Sequence, residues 1–269
     1  SLKYRDPGNS ISFDNSLAAC QQKGEGWHLM TNAEWAAVAL MQWKKRFLCR
    51  GNNSYGKDYV ATSEKGIPSY YYSDNIARVL TGSGPLPWTH DGTPFGIYDL
   101  NGNVWEWVAG LRINDGEINI IQDNDAALYN ADHGAASALW KAILEDSSLV
   151  APGTTSTLKY DATGAGGTGS IIVKTGSGTN LDPNTSVSTM FKDLTAPGVV
   201  VPNILKTLTL YPDDTTIPTG RVYARSGERL PARGGYWIYS SNAGLFSLSL
   251  FNSRSSTTVS IGFRSAFVL

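Results

Sequence analysis

The sequence predicts an α+β domain, loop-rich and pinned by aromatic side chains. Two local patterns and one fact of composition carry that reading. Thr31, with Glu34 three residues later, forms a capping box, which starts a helix. Near the other end, Leu245-Phe246-Ser247-Leu248-Ser249-Leu250-Phe251 alternates with a period of two, the mark of a strand with one buried side. Counts of Gly 28, Trp 8 and Tyr 13 in 269 residues suit a fold of loops held by aromatic anchors.

Length and charge bound the rest. A chain of 269 residues can bury a core as one large domain or two small ones. With 17% charged residues and a net charge of −1, no nucleic acid or membrane surface would be held by bulk charge. No apolar run approaches the roughly 20 residues of a membrane span. The chain opens at Ser1 with neither Met nor a signal-like stretch, as expected of a piece excised from a longer protein. Cys20 and Cys49 set no disulfide framework and are expected as buried free thiols.

In chain order, Asp14 to Lys23 reads as a short helix turning Leu17, Ala18 and Cys20 inward and stopped by Gly24 and Gly26. The helix capped at Thr31 presents Trp35, Val38, Ala39 and Gln42 on one face, widened by Leu40, Met41 and Trp43. It ends in Lys44-Lys45-Arg46, cations favourable at a C-terminus. His28, in the lead-in, is expected to be structural. Tyr70-Tyr71-Tyr72 reads as a strand or a surface aromatic cluster, and His90 is a weak metal candidate. Within Gly96 to Trp107, Asn101-Gly102 permits a tight turn. Trp105 and Trp107 there flank a Glu106 that is expensive to bury unpaired.

Residues 111–220 read as an insertion. Asn124 to Glu145 carries helical stretches, notably Ser137 to Leu144. Asp123 and Asp125 lack the Gly and distal Glu of a calcium loop. His133 is expected at the surface. Gly164-Ala165-Gly166-Gly167-Thr168-Gly169 matches a dinucleotide motif in letters only, because a strand-like Ser170 to Val173 follows where a helix is required. Ser, Thr, Gly and Pro through Thr189 suggest surface loops, and Val199 to Leu210 offers a strand or two. Arg221-Val222-Tyr223-Ala224-Arg225 leads into Arg233 to Leu269. There Phe246, Leu248 and Leu250 face inward, a Ser/Thr loop follows, and Ile261 to Leu269 forms a second strand. This stretch holds no Cys, His, Lys, Asp or Glu, so it lacks the usual acid, base and metal-ligand groups.

Three segments carry a resemblance. Leu29-x-Thr31-x-x-Glu34-Trp35, Gly102-Asn103-Val104-Trp105-Glu106-Trp107, and Arg233-Gly234-Gly235-x-Trp237 with Ile261-Gly262-Phe263-Arg264 are similar to the formylglycine-generating-enzyme-like branch of the C-type lectin fold. The resemblance implies one domain over residues 1–269, with two N-terminal helices, small mixed or antiparallel sheets and the 111–220 insertion. The Ser, Asn and aromatic filling of 233–269 resembles the variable proteins of diversity-generating retroelements. In that group adenines in AAC or AAT codons are randomised, so a variable position reaches any residue with a codon ending in C or T. Tyr236, Ile238, Tyr239, Ser249, Phe251, Asn252, Ser256, Thr258 and Ser260 all meet that restriction.

The resemblance implies functions of different classes. One is a hypervariable binding protein, on a phage tail or a bacterial surface, whose nine variable residues form one exposed face for a protein or cell-surface ligand. Such a face needs no cofactor. The alternative is an oxidase that converts a sulfatase cysteine with a cysteine pair of its own. Those two positions fall here on Tyr239 and Gly244, so the thiolate chemistry has no ligands. A third class, a calcium-dependent sugar lectin, is disfavoured because this sequence lacks the paired Glu/Asp-Pro-Asn ligands expected of one. Some relatives hold a structural Ca²⁺ at positions matching Asp99, Gly102, Val104 and Glu106, and oxygen-only ligands suit that ion.

Overall fold

A computed structural model describes residues 2–268. Helix α1, Phe13–Gln21, begins where the Ser12 hydroxyl accepts from the Asn15 amide. It buries Phe13, Ser16 and Cys20. Those positions are three and four apart and share one face. The helix starts one residue earlier than the sequence suggested, at Phe13, and because its inward stripe runs through Phe13, Ser16 and Cys20, Ala18 is exposed rather than inward and Leu17 is half-buried. Strand β1, Trp27–Leu29, precedes α2, Asn32–Lys44. The capping box forms as expected, with Glu34 N donating to Thr31 Oγ1 at 3.1 Å and Thr31 N to Glu34 Oε2 at 2.8 Å. Helix α2 buries Trp35, Ala36, Ala39 and Gln42 and leaves Met41 exposed. Strands β2, Pro68–Tyr72, and β3, Asn75–Val79, form a hairpin. Tyr71 and Tyr72 sit in its strand and also on the surface.

Most of the remaining strands build one curled sheet of twelve, with no ladder among the described residues joining its first and last strands. They begin with β4, Trp105–Trp107, β5, Leu111–Asn114, and β6, Glu117–Ile121. Next come β7, Trp140–Ile143, β8, Leu149–Val150, β9, Lys159–Gly164, and β10, Thr168–Lys174. Strand β11, Val187–Met190, leads through the short helix α3, Asn203–Thr207, to β12, Arg221–Ala224, and β13, Glu228–Gly234. Then follow β14, Gly244–Asn252, and β15, Ile261–Phe263. The main path is β10-β9-β6-β5-β13-β14-β12-β11, with β4 bridging β13 and β15. Its two end strands touch through a side chain, Ile171 N of β10 donating to Thr189 Oγ1 of β11 at 2.6 Å. Strand β16, Ser265–Phe267, pairs separately with β1.

Segment 111–220 is therefore woven into the sheet. Its Ile113, Ile118, Tyr160, Ile171, Val187 and Phe191 share one core with Phe246, Leu248 and Leu250 of β14. Phe191 stacks on Phe246 with ring centroids 5.3 Å apart.

Several local expectations fail here, the first because tertiary pairing outranks local propensity. Ser137 to Leu144 looked helical, yet Trp140–Ile143 is a strand because β6 offers it a ladder, Asn119 opposite Ala142. Between Asn124 and Ile143 the chain is otherwise a 3-10 segment, Gln122–Ala127, and turns. Val199 to Leu210 looked extended, yet it contains α3, capped at Pro202 and burying Leu205. His133 is buried among Phe13 and Trp140 instead of exposed, with Nδ1 2.9 Å from Ala131 O. Burial lowers its imidazole pKa. The Gly164 to Gly169 stretch is the β9–β10 turn, followed by strand as expected. The final run is two strands, β15 and β16, and Leu269 lies outside the described residues. Cys20 and Cys49 are buried free thiols, pushed up by desolvation to about 11 and about 12.

Candidate ligand-binding face

The GNVWEW segment sets the frame. Gly102 has φ +77°, and a Cβ there would lie 2.1 Å from Asn52 O, so only glycine fits. Gly102 N then donates to Gly234 O at 2.9 Å, which ties this turn to the end of β13. Trp105 and Trp107 are buried on one face of β4, and β4 carries them beside β13 and β15, Ala232 opposite Trp107 and Ile261 opposite Trp105.

Above Trp105 the Gly-Gly segment folds over. Gly235, at φ +81°, packs so close to Ala243 that a Cβ would meet it at 2.6 Å. The loop is held from outside by Tyr55 N on Trp237 O, 2.7 Å, and Ser240 N on Asn53 O, 2.8 Å. This places Tyr239 edge-on to Trp105, centroids 5.5 Å apart, and Tyr236 against Tyr239 at 4.4 Å. Tyr223 of β12 continues the row, 5.6 Å from Tyr239 and 6.2 Å from Phe251 of β14. The rings of Tyr223, Tyr236, Tyr239 and Phe251 are half-buried. Burial, then the neighbouring Tyr239, Tyr55 and Tyr72, push the Tyr236 hydroxyl up to about 12, and burial likewise raises Tyr239. The row itself is aromatic, with edge-to-face contacts of Tyr239 on Trp105 and Tyr223 on Phe251 and tilted contacts between the tyrosines.

The nine residues expected as one exposed face divide. Tyr236, Tyr239 and Phe251 lie in the aromatic row, and Ile238 beside it is 39% exposed. Ser256, Thr258 and Ser260 lie in the loop after β14, where Ser256 Oγ accepts from Ser253 N at 3.1 Å and Thr258 Oγ1 meets Ser260 Oγ at 2.6 Å. Trp105 N donates to Ser260 O at 2.8 Å, so this loop returns to the residue under Tyr239. Ser249 and Asn252 depart from the expectation, being 0% and 5% exposed, with Asn252 Nδ2 donating to Ser249 Oγ at 3.2 Å. Strand β14 is interior, parallel to β12 and antiparallel to β13. Parity turns Ser249 away from the core, but large neighbours such as Tyr223, its partner in register, enclose so small a side chain. Sequence reading missed Tyr223. The alternation of Arg221, Tyr223 and Arg225 about Val222 and Ala224 signalled its face, but not the neighbouring strand.

The residues suggested for Ca²⁺ do not fit that ion. Arg264 holds both oxygens of Glu106, Nη2 to Oε1 at 2.6 Å and Nε to Oε2 at 2.8 Å. A divalent cation would have to sit against a guanidinium or displace it. Asp99 Oδ2 accepts from Gly82 N at 2.8 Å and its Oδ1 is buried without a partner. Burial raises that carboxyl to about 6. Among the described residues no three His, Cys, Asp or Glu side chains cluster as a metal site. His28, expected to be structural, is buried with Nε2 2.8 Å from Glu34 Oε1 of the capping box.

No helix among the described residues is long and apolar enough to cross a membrane. No curated protein matches the chain. The family profile of the sulfatase-modifying factor enzyme 1-like domain matches residues 2–137, from the first helix through the GNVWEW segment into the middle of the sheet. The chain belongs to the sulfatase-modifying factor enzyme 1-like domain family.

Proposed function

We propose that this chain is a ligand-binding protein of the C-type lectin type, with a C-terminal face diversified by a retroelement, and that it works without catalysis. The observation that carries the reading is the row of half-buried rings, Tyr236, Tyr239, Tyr223 and Phe251, seated on the rigid Trp105. A clustered, partly exposed aromatic surface usually marks a contact site. Tyrosine gives large contact area at low entropic cost, as in other paratopes. By the resemblance, the cysteine pair of the oxidases falls here on Tyr239, a member of the row, and on Gly244, so neither position offers a thiol. The chain's own thiols, Cys20 and Cys49, are buried and pushed far above neutral pH. The ligand is a protein or a cell-surface molecule, and the setting a phage tail or a bacterial surface.

Two measurements test this. The DNA beside the gene should hold a near-copy of the codons for residues 233–269, differing at adenines, next to a reverse transcriptase gene; absence of both would remove the diversification. Incubation with copper and a sulfatase-motif peptide should yield no aldehyde, and aldehyde formation would restore the oxidase reading.

A further inference from the structure

Strand β12 runs parallel to β14, with Val222 opposite Leu248, Tyr223 opposite Ser249 and Ala224 opposite Leu250. Val222 and Ala224 are fully buried in the core. By the period of two, Arg221, Tyr223 and Arg225 share the other face, the one on which Tyr223 meets Tyr239 and Phe251. The aromatic row is thus flanked by two arginines whose Cα atoms are about 13 Å apart along the strand.

Neither arginine has an ion-pair partner among the described residues. Arg221 donates from Nε to Asn242 Oδ1 and from Nη1 to Ser188 Oγ, both at 2.9 Å, which fixes the fork without neutralising it. The Arg225 guanidinium lies 5.4 Å from the Phe251 ring centroid, and its Nε is buried with no acceptor. Arg229, the next arginine along the chain, donates only to the carbonyls of Ser226 and Pro183. Asp182 feels the charge of Arg225, but its Oδ1 already accepts from the amides of Asn184 and Thr185 at 2.7 Å. Six other arginines, Arg46, Arg50, Arg78, Arg112, Arg254 and Arg264, each pair with a carboxylate, and Arg233, also without one, is fully buried and gives its donors to neutral oxygens inside the fold.

A half-buried guanidinium that has lost water without gaining an anion is completed by a carboxylate from outside, which it can grip with two parallel hydrogen bonds. Arginine beside tyrosine is also the composition of protein-binding hot spots. We infer that Arg221, Tyr223 and Arg225 form a constant, anion-selecting half of the binding face, whose partners are protein surfaces presenting Asp or Glu around an apolar centre. The inference rests on the proposed binding face and adds its charge preference. These three residues lie outside 233–269, so the preference for acidic partners persists while the C-terminal residues change.

The test pans a phage-displayed random peptide library on the whole chain and on Arg225→Gln, Arg225→Lys and Tyr239→Ser variants, each checked for an unchanged melting curve. Peptides enriched on the wild type should be richer in Asp and Glu than the input and should weaken as NaCl rises. They should bind Arg225→Gln at least about tenfold more weakly, as expected when an interfacial charge loses its partner. Arg225→Lys should fall between, keeping charge without the fork. Peptides that depend on Tyr239 but carry no acidic bias, or ignore Arg225→Gln, would overturn the anion-selecting role and leave the face standing. Peptides indifferent to both variants, or no enrichment at all, would overturn both. Heparin binding lost in Arg225→Gln, with no acidic peptides selected, would overturn the protein partner in favour of an anionic polysaccharide.

Discussion

Arg264 and Glu106 are joined through two hydrogen bonds, at 2.6 and 2.8 Å, between the strand pair at the end of the chain and the GNVWEW segment 158 residues away in sequence. The side chains are only 17% and 8% exposed. Opposite Glu106, the same guanidinium donates from Nη2 to Tyr98 O at 2.9 Å. Removing Glu106 leaves the Arg264 guanidinium buried without its ion-pair partner. Glu106→Ala is therefore expected to lower unfolding stability by about 3–5 kcal/mol, read by urea titration. A loss under about 1 kcal/mol would show that the pair contributes no more than a surface bridge. A calcium chelator should leave the melting temperature unmoved, since Arg264 already fills the Glu106 oxygens; a drop reversed by added Ca²⁺ would place a cation there.

Arg233 is fully buried, and its acceptors are neutral oxygens. Nε and Nη2 both donate to Asn32 Oδ1, at 3.0 and 2.6 Å, while Nη1 has no partner. Burial lowers the guanidinium to about 10. Asn32→Ala is expected to cost about 2–3 kcal/mol, the scale of a buried charge losing its chief acceptor. Thermal denaturation beside Asn32→Gln, which keeps an amide, checks it; equal melting temperatures for Asn32→Ala and the wild type would contradict the assignment.

His28 and Glu34 predict a pH dependence. Burial pushes the His28 imidazole down, but the hydrogen bond and charge of Glu34 outweigh it and leave the pKa raised. Burial pushes Glu34 up, and the bonds to His28 and Thr31 leave it lowered. A raised histidine stabilises fully below its unfolded pKa of about 6.5 and loses that contribution as pH rises through the folded value. A lowered glutamate stabilises above about 4.3 and loses it as pH falls through the folded value. Both contributions coexist between those limits. The wild type should therefore exceed His28→Gln in melting temperature by more near pH 5.5 than near pH 9. A gap independent of pH would show that the pair is not ionised.

The elements legible in the sequence were those written in local chemistry. The capping box at Thr31 and Glu34, the Asn101-Gly102 turn and the inward triplet Phe246, Leu248 and Leu250 all depend on neighbours a few residues away. What escaped depended on distant partners. Ser137 to Leu144 carries helix formers and becomes strand only because β6 lies beside it. Ser249 obeys its parity yet is buried, because β12 arrives in parallel from outside the final stretch and brings Tyr223. The match of Glu106 to a family calcium ligand was readable, whereas the occupancy of both its oxygens by Arg264 was not. The family profile stops at residue 137, so the final stretch rested on motif letters until the sheet brought it to Trp105.

The division of the nine candidate positions gives the sharpest test of the binding face. Replacing Tyr236, Ile238, Tyr239, Phe251, Ser256, Thr258 and Ser260 together with other small and aromatic residues should preserve the fold and change the peptides selected. Tyr239 and Phe251 should each cost about 2 kcal/mol of binding or more when truncated. Ser249 and Asn252 behave differently, because they are enclosed and bonded to each other. Ser249→Tyr must force a ring into a space that holds a hydroxymethyl group, between strands carrying Tyr223 and Ala232 opposite it. Overpacking of that kind costs about 1–3 kcal/mol. Ser249→Tyr should therefore lower the melting temperature, while Thr258→Tyr, at an exposed position, should not. If Ser249→Tyr melts with the wild type and changes the selected peptides, position 249 opens to ligand and the face is larger than its exposed residues. If the seven-residue replacement unfolds the chain, these side chains serve the core and the binding face is lost as an explanation.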